Sequence, residues 1–504
     1  MSDSPAHLLG QIDALIADVE TEGDAQAAVW DKVVDRPAFR PSAHNLACYL
    51  ALRRRDLRKL QRPLMALGLS SLGRLEGRVL PALKAVRGAL SALAGHAPAR
   101  HPSATAFFAG EARLQSHTQE ILGTPDDAAH VALLVTCPSE AADDGDFMMA
   151  MARKGVEAVR INCAHDGAEK WRAMIFHLRL AEAATGRRLK VFMDLAGPKI
   201  RTGEILRPDE GPHRAHIGDR IALTATGDLD KVDVKERHFA VECTLKEALT
   251  ASREGDRIFV DDGKLGATIE RVTRWGLLAR VTAATQKGLS IKPEKGLNFP
   301  DRHLDIDALT LKDRADLAFV AAHADGVEFS FVQSAADVVK LQDALAVLRP
   351  TDWRTLSLVL KIETARAVAN LPEIIVQAAG RQPAAIMIAR GDLAVEIGFA
   401  RTAEIQEEIL WLGEAADVPV IWATQVLEGL ISKGMPSRGE MTDAAMAARA
   451  ECVMLNKGPF LIETIDQLRA LLARMGDHQH KKTPGLRALR SWAERVAGLP
   501  DGAR

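Results

Sequence analysis

In the stretch LVLKIETARAV, Lys361 and Glu363 stand two residues apart, so on a strand both side chains project from one face. A lysine beside a carboxylate at a strand end can join an electrophile for a phosphoryl oxygen to a metal ligand; a structural ion pair is the competing reading. The next apolar run, IMIARGDLAVEIG, sets Asp392 directly after Gly391 where a helical pattern begins. Glu363 and Asp392 together would offer hard carboxylate oxygens to one Mg²⁺ and leave its other positions to water and substrate. The N–H groups of Gly391 and Asp392 would cradle an anion such as a carboxylate. A helix cap explains Asp392 taken alone, but not the matching acid on the neighbouring strand.

Three further stretches carry reactive side chains. VRINCAHDG places Arg160 and Asn162 on one face; arginine there suits a planar fork on phosphate, with a buried salt bridge as the alternative. IWATQVLEGL ends a strand at Thr424, whose hydroxyl could bond a substrate carboxylate or stand near a carbon that gains a proton, although threonines at strand ends are common. VFMDLAGPKIRTGEI begins as a buried strand and then gathers Asp194, Lys199 and Arg201 around a Gly-Pro turn.

The elements that must position these residues follow a rhythm. From about residue 130, short apolar runs alternate with stretches of helical period: HVALLVT, VEAVRIN, LKVFMD, DGVEFSF, LSLVLK, AAIMIAR, VPVIWA and ECVMLN. Eight such repeats predict a (β/α)8 barrel, an α/β fold whose active-site face lies at the C-terminal strand ends. Thr136, Asn162, Asp194, Lys361, Arg390 and Asn456 close six of the runs. Residues 205–296 break the rhythm with alternating strands and Gly-Asp turns, and read as a small all-β domain inserted over the barrel mouth. Residues 1–125 are helical by period and close with a Pro/Ala/Gly/His-rich link, GHAPARHPSATAFFAG. The expected domains are thus a helical extension at 1–125, a barrel at 126–204 and 297–475, the insertion, and a tail at 476–504. The basic run from Arg53 to Arg62 is expected to be a solvated helix face rather than a docking site for an acidic partner.

Composition limits the alternatives. The chain has 504 residues, 47% hydrophobic and 26% charged, with a formal net charge of −2, so nothing in the global balance points to nucleic acid or an anionic membrane. The five cysteines are scattered and never spaced as CxxC, which disfavours disulfides and zinc and fits a reducing cytoplasm. The N-terminus has no basic leader before an apolar core and no run is long enough for a membrane span, so neither export nor membrane insertion is expected.

The motifs RINCAH, DLAGPKIRTG, VDDGKLGATI, KGLNFPD, LTLKDRADLAF, KIETARAVANLPEII, IMIARGDLAVEIG, VIWATQVLEGLI and PSRGEMTDAAMA, in this order, resemble those of the pyruvate kinase family. The resemblance implies phosphate transfer between phosphoenolpyruvate and ADP, giving pyruvate and ATP, with Mg²⁺ or Mn²⁺ as cofactor. It implies catalytic roles for Lys361, Arg160 and Thr424, with Lys361 stabilising the phosphoryl group in flight. Glu363 and Asp392 would hold the metal. Arg160, Lys361, Gly391, Asp392, Thr424 and Ser330 would bind the substrate beside Phe331, and Arg201, Lys295, Asp262 and His165 would reach the nucleotide as the lid closes. A homo-oligomer joined through the barrel domain is also implied.

Departures from the family pattern carry their own expectations. MLNKGPF replaces MLSGETA after the eighth strand, so Asn456 and Lys457 alter one wall of the nucleotide pocket. The family's usual C-terminal α/β domain is not expected here, nor is a response to fructose 1,6-bisphosphate. Ala164, Leu195 and Lys199 depart from the members that need K⁺. Lys199 is therefore expected near Asp194 and Asn162 as a built-in cation, with K⁺ not required. Two other functions stay open: Mg²⁺-enolate lyase or aldolase chemistry on pyruvate, and a catalytically impaired metabolite sensor.

Overall fold

The computed structural model describes residues 4–97, 100–124, 131–207, 213–232, 239–302, 304 and 306–484. Strands are numbered here in chain order. β1 (Ala132–Thr136), β2 (Ala158–Asn162) and β3 (Lys190–Asp194) open the barrel. The insertion supplies β4 (Thr202–Leu206), β5 (Arg220–Ala225), β6 (Phe239–Cys243), β7 (Arg257–Val260), β8 (Leu265–Val272), β9 (Gly276–Ala284) and β10 (Leu297–Asn298). β11 (Gly326–Phe329), β12 (Ser357–Ile362), β13 (Ala384–Ala389), β14 (Val420–Ala423) and β15 (Cys452–Leu455) complete the barrel, closed in the order β1-β15-β14-β13-β12-β11-β3-β2. Each expected apolar run contains one of these strands. The runs are mostly apolar because inward and outward faces are both covered, the inner by side-chain layers and the outer by helices.

Register gathers the polar strand ends. Thr136 lies opposite Arg160, Asn162 opposite Asp194, and Asp194 opposite Glu328. A slip of one residue would turn each of these side chains to the other face, so the apolar layers beneath fix the chemistry above them.

The inserted strands form one sheet, ordered β10-β7-β8-β9-β5-β6-β4, over a separate core that includes Ile221, Phe239, Val241, Leu265 and Leu277. Its first strand begins at Thr202 and its last ends at Asn298, because the two connecting strips already pair, Arg201 with Gly296.

Helices Pro5–Trp30, Arg40–Arg53, Arg58–Ala66, Val79–Leu93, Ala104–Phe107 and Ala109–Leu122 precede the barrel. The expected link at 95–110 is thus partly helical: Ser103 caps one short helix by accepting a hydrogen bond from the Ala106 N–H, and Phe108 leads into the next. These helices are tied to the barrel through Asp417, whose carboxylate accepts hydrogen bonds from Ser42 Oγ and Arg113 Nε, both at 2.7 Å. The basic run is neutralised locally: Arg54 and Arg55 pair with Glu22, Arg58 pairs with Asp56, and Arg53 stacks on Trp411. A helix at Leu461–Gly476 leads into a short hairpin at 479–484 that delivers Lys481 to Glu451 and Lys482 to Glu76. Of the expected tail, 485–504 lie outside the described residues. No helix among the described residues is long and apolar enough to cross a membrane. The five cysteines are buried and free of disulfides.

Candidate active site

At the C-terminal strand ends a cavity of about 260 Å³ is lined by Arg160, Asn162, Asp194, Lys199, Arg201, Asp262, Ser330, Phe331, Lys361, Glu363, Gly391, Asp392 and Thr424, among others. Most of the residues singled out in the sequence therefore meet in one place. Lys295 does not line it; its ammonium lies 3.3 Å from Asp261, on the return from the insertion. His165 lines an adjoining cavity of about 310 Å³ with Asp166, Glu428, Asn456 and Lys457, while Arg160 and Asn162 border both. In that wall Asn456 Nδ2 donates to Glu428 at 3.0 Å.

Asp194, buried at the end of β3, is the hub. Arg160 donates to its Oδ2 through Nε at 3.0 Å and also through Nη2; Lys361 Nζ reaches both oxygens at 3.1 and 3.2 Å, and Ser330 Oγ donates to Oδ1 at 3.0 Å. Burial pushes this carboxyl up, but Lys361 and Arg160 outweigh it and hold it below the usual range. Lys361 also donates to Ser330 Oγ at 2.7 Å and lies 3.3 Å from Glu363 Oε1. Its ammonium is buried, which disfavours charge, yet Asp194 and Glu363 raise its pKa well above the ordinary lysine value. A fixed cation thus stands at the mouth in spite of its burial. Arg160 further donates to Thr136 Oγ1 at 3.1 Å and to Glu328 Oε2 at 3.2 Å.

The two candidate metal acids are positioned from the backbone. Glu363 Oε2 accepts the Phe331 N–H at 2.6 Å, and Phe331 is held at a φ of 55°. Asp392 lies in the first turn of the helix Arg390–Ile397, whose opening Gly391 leaves no room for a side chain: a Cβ there would stand 2.9 Å from Thr424 Cγ2. Burial first, and then Asp392, raise Glu363 above the usual carboxylate range against the pull of Lys361. Asp392 Oδ1 is buried and accepts no hydrogen bond, although an ammonium stands near it. A buried hard oxygen that faces an ammonium but accepts no hydrogen bond, beside a second carboxylate, fits a divalent cation once that ammonium withdraws. No cluster of three or more acids, histidines or cysteines suited to a metal occurs among the described residues, so the protein would give carboxylates from Glu363 and Asp392, and substrate and water the rest.

Lys199, expected near Asp194 and Asn162, is placed elsewhere. Its Nζ lies 2.9 Å from Asp392 Oδ1, donates to Oδ2 at 3.1 Å, and stands 3.6 Å from Asp262 of the insertion. The physical reason is that Asp194 is already saturated by Arg160, Lys361 and Ser330, while no other cation among the described residues pairs with Asp392. Asn162 Oδ1 is likewise engaged, accepting the Ala164 N–H at 2.9 Å.

Three roles were not read from the sequence. Glu328 is wholly buried behind Arg160, and burial together with Asp194 pushes its carboxyl up to about 7. Its signal was present, an acid two residues before Ser330 in an otherwise apolar strand. Arg390 closes a strand yet turns away from the substrate side, donating to the carbonyls of Ala423 at 2.8 Å and Thr424 at 2.6 Å. Asp443, from the helix Arg438–Ala447, completes that arrangement by pairing with Arg390; nothing local in the sequence links the two.

Comparison with known proteins agrees with this geometry. The family model for the pyruvate kinase barrel domain matches residues 131–460. The chain is 31% identical to a pyruvate kinase of Corynebacterium efficiens over 322 residues, covering 63% of each chain. It is 31% identical over 325 residues to one from Aeropyrum pernix, covering 64% of this chain and 65% of that protein. Against pyruvate kinase PKLR of Rattus norvegicus it is 28% identical over 357 residues, covering 68% of this chain and 59% of that one. The match thus spans less than two thirds of the length of these relatives. With the barrel, the strand-end constellation and the family match in agreement, the chain belongs to the pyruvate kinase family.

Proposed function

We propose that this chain transfers a phosphoryl group between phosphoenolpyruvate and ADP at the barrel mouth, giving pyruvate and ATP. The observation that carries the reading is Lys361, a buried ammonium fixed by Asp194, Ser330 and Glu363 on the wall of a cavity shared with Arg160, Asp392 and Thr424. Phosphoryl transfer asks for positive charge and positioning with little covalent work by the protein. Arg160 would hold the substrate phosphate and Lys361 the oxygens of the group in transit. The Gly391 and Asp392 N–H groups and the Thr424 hydroxyl would fix the carboxylate. As the C–O–P bridge breaks, the phosphoryl group passes to the ADP β-phosphate oxygen and the enolate carbon takes a proton on the Thr424 side. Mg²⁺ or Mn²⁺ on Glu363 and Asp392 would supply Lewis-acid neutralisation of the transferring and enolate oxygens. Arg201, Asp262 and His165 would contact ADP, with Lys295 acting from the hinge.

We also propose that K⁺ is not required. Asn162 and Asp194 are already engaged by protein donors, and Ala164 and Leu195 have no side-chain oxygen to offer. The test of the reaction is a lactate-dehydrogenase-coupled assay with phosphoenolpyruvate, ADP and Mg²⁺. Pyruvate formation that requires ADP supports the reading, and pyruvate formed without ADP, or none, overturns it.

A further inference from the structure

Both candidate metal acids already carry a lysine, and the two lysines differ in how they are anchored. Lys361 is held by Asp194 and Ser330 as well as by Glu363, so it keeps its place if Glu363 turns toward a metal. Among the described residues Lys199 shows no such second contact on the barrel: its ion pairs are with Asp392 and, at 3.6 Å, Asp262 of the insertion, and Glu363 attracts it only from farther off. It enters from the strip joining β3 to β4, just after Pro198, and crosses the return strip at Gly296, where a Cβ would stand 2.9 Å from Lys199 Cε. The side chain therefore runs through a gap kept open by a glycine and ends on a metal acid. Lys199 and Asp392 side chains are 23% and 15% exposed, so water screens the pair only partly.

We propose that Lys199 is a tethered competitor for the divalent-metal site. Resting on the metal reading of Glu363 and Asp392, this means that the ammonium must leave Asp392 before that carboxylate can hold a divalent ion. The ion pair must be broken first, so the metal affinity of the substrate-free protein is lowered by the strength of that pair. Asp262 is the nearest alternative partner for the displaced ammonium. Metal binding is thereby coupled to the insertion, because a lysine released from the barrel is passed to the lid.

The test is Mn²⁺ binding to the substrate-free full chain, read by electron paramagnetic resonance of free Mn²⁺ at fixed ionic strength, for wild type, Lys199→Met, Lys199→Gln, Lys199→Arg and Asp392→Asn. Loss of the ammonium is expected to tighten binding by at least about tenfold in Lys199→Met and Lys199→Gln, with Lys199→Arg close to wild type. Asp392→Asn should bind Mn²⁺ at least about tenfold more weakly than wild type. Two neutral variants, at a partly exposed position, keep the test open if one of them fails to fold. Equal or weaker binding in the neutral variants, with binding still dependent on Asp392, overturns the competition and leaves the metal reading in place. Absence of Mn²⁺ binding in every variant overturns both.

Discussion

Arg390 and Asp443 form a two-pronged ion pair, Nη2 to Oδ2 at 2.9 Å beside a second contact through Nη1, while the same guanidinium holds the carbonyls of Ala423 and Thr424. The chain it grips is held in the left-handed region, with φ of 69° at Thr424 and 58° at Gln425. Neither residue favours that conformation, so an external clamp must maintain it. The pair thus holds Thr424 in the lining of the cavity, which Arg390 and Asp443 do not themselves line.

Asp443→Asn keeps the shape of the clamp and removes its charge. Turnover is expected to fall roughly tenfold, with a raised KM for phosphoenolpyruvate and an intact circular dichroism spectrum. Arg390→Lys should not restore function, because an ammonium cannot span two carbonyls and a carboxylate in one plane. Normal kinetics in Asp443→Asn would show that Thr424 needs no clamp.

Lys361→Met addresses the transition state. The buried ammonium is best placed for charge on the transferring group, so kcat should drop by ~10³-fold while KM for phosphoenolpyruvate changes far less. A variant with unchanged kcat and a raised KM would make Lys361 a ground-state binding residue.

The barrel was readable in the sequence because strands buried on both faces are written as apolar runs, and their polar ends then fall on one rim by register. That Lys361, Glu363, Asp392 and Thr424 would share one rim was readable for the same reason, since each lies in, or within three residues of, the C-terminal end of a barrel strand. The partner of Lys199 was not. A long flexible side chain on a hinge goes to the strongest unsatisfied charge, and which acid remained unsatisfied depended on Arg160 and Lys361 having already taken Asp194. Asp443 was hidden because its helix approaches Arg390 only after the barrel closes. Three-dimensional competition for partners, rather than local preference, decided both cases.

Stability should respond to pH through Glu414, where the N-terminal helices and the C-terminal hairpin meet the barrel. Burial, reinforced by Glu76 and Glu451 and opposed by Lys481 and Lys482, pushes this carboxyl up to about 7 from an ordinary 4.5. The folded state then holds a proton that the unfolded state releases, so this contribution is present below the ordinary value and is lost as pH rises toward about 7, up to about 3 kcal/mol. Glu414→Gln is expected to raise Tm by a few degrees at pH 8 and to leave it nearly unchanged at pH 5. Equal shifts at both pH values in thermal melts would contradict this.

Independence from K⁺ has its own check. Steady-state rates at constant ionic strength should agree within about twofold when K⁺ is replaced by tetramethylammonium, because the oxygens that would bind the ion are engaged by protein donors. Tenfold activation by K⁺ would show that Asn162 and Asp194 rearrange to receive it.

The central claim is that phosphorus moves from phosphoenolpyruvate to ADP at the Lys361 cavity, and ³¹P nuclear magnetic resonance follows that atom directly. With Mg²⁺, phosphoenolpyruvate and ADP, the account predicts loss of the phosphoenolpyruvate signal in step with growth of the ATP γ-phosphate signal, and neither change in Lys361→Met on the same timescale. Inorganic phosphate appearing in place of ATP, or an unchanged spectrum with folded wild-type protein, would contradict it.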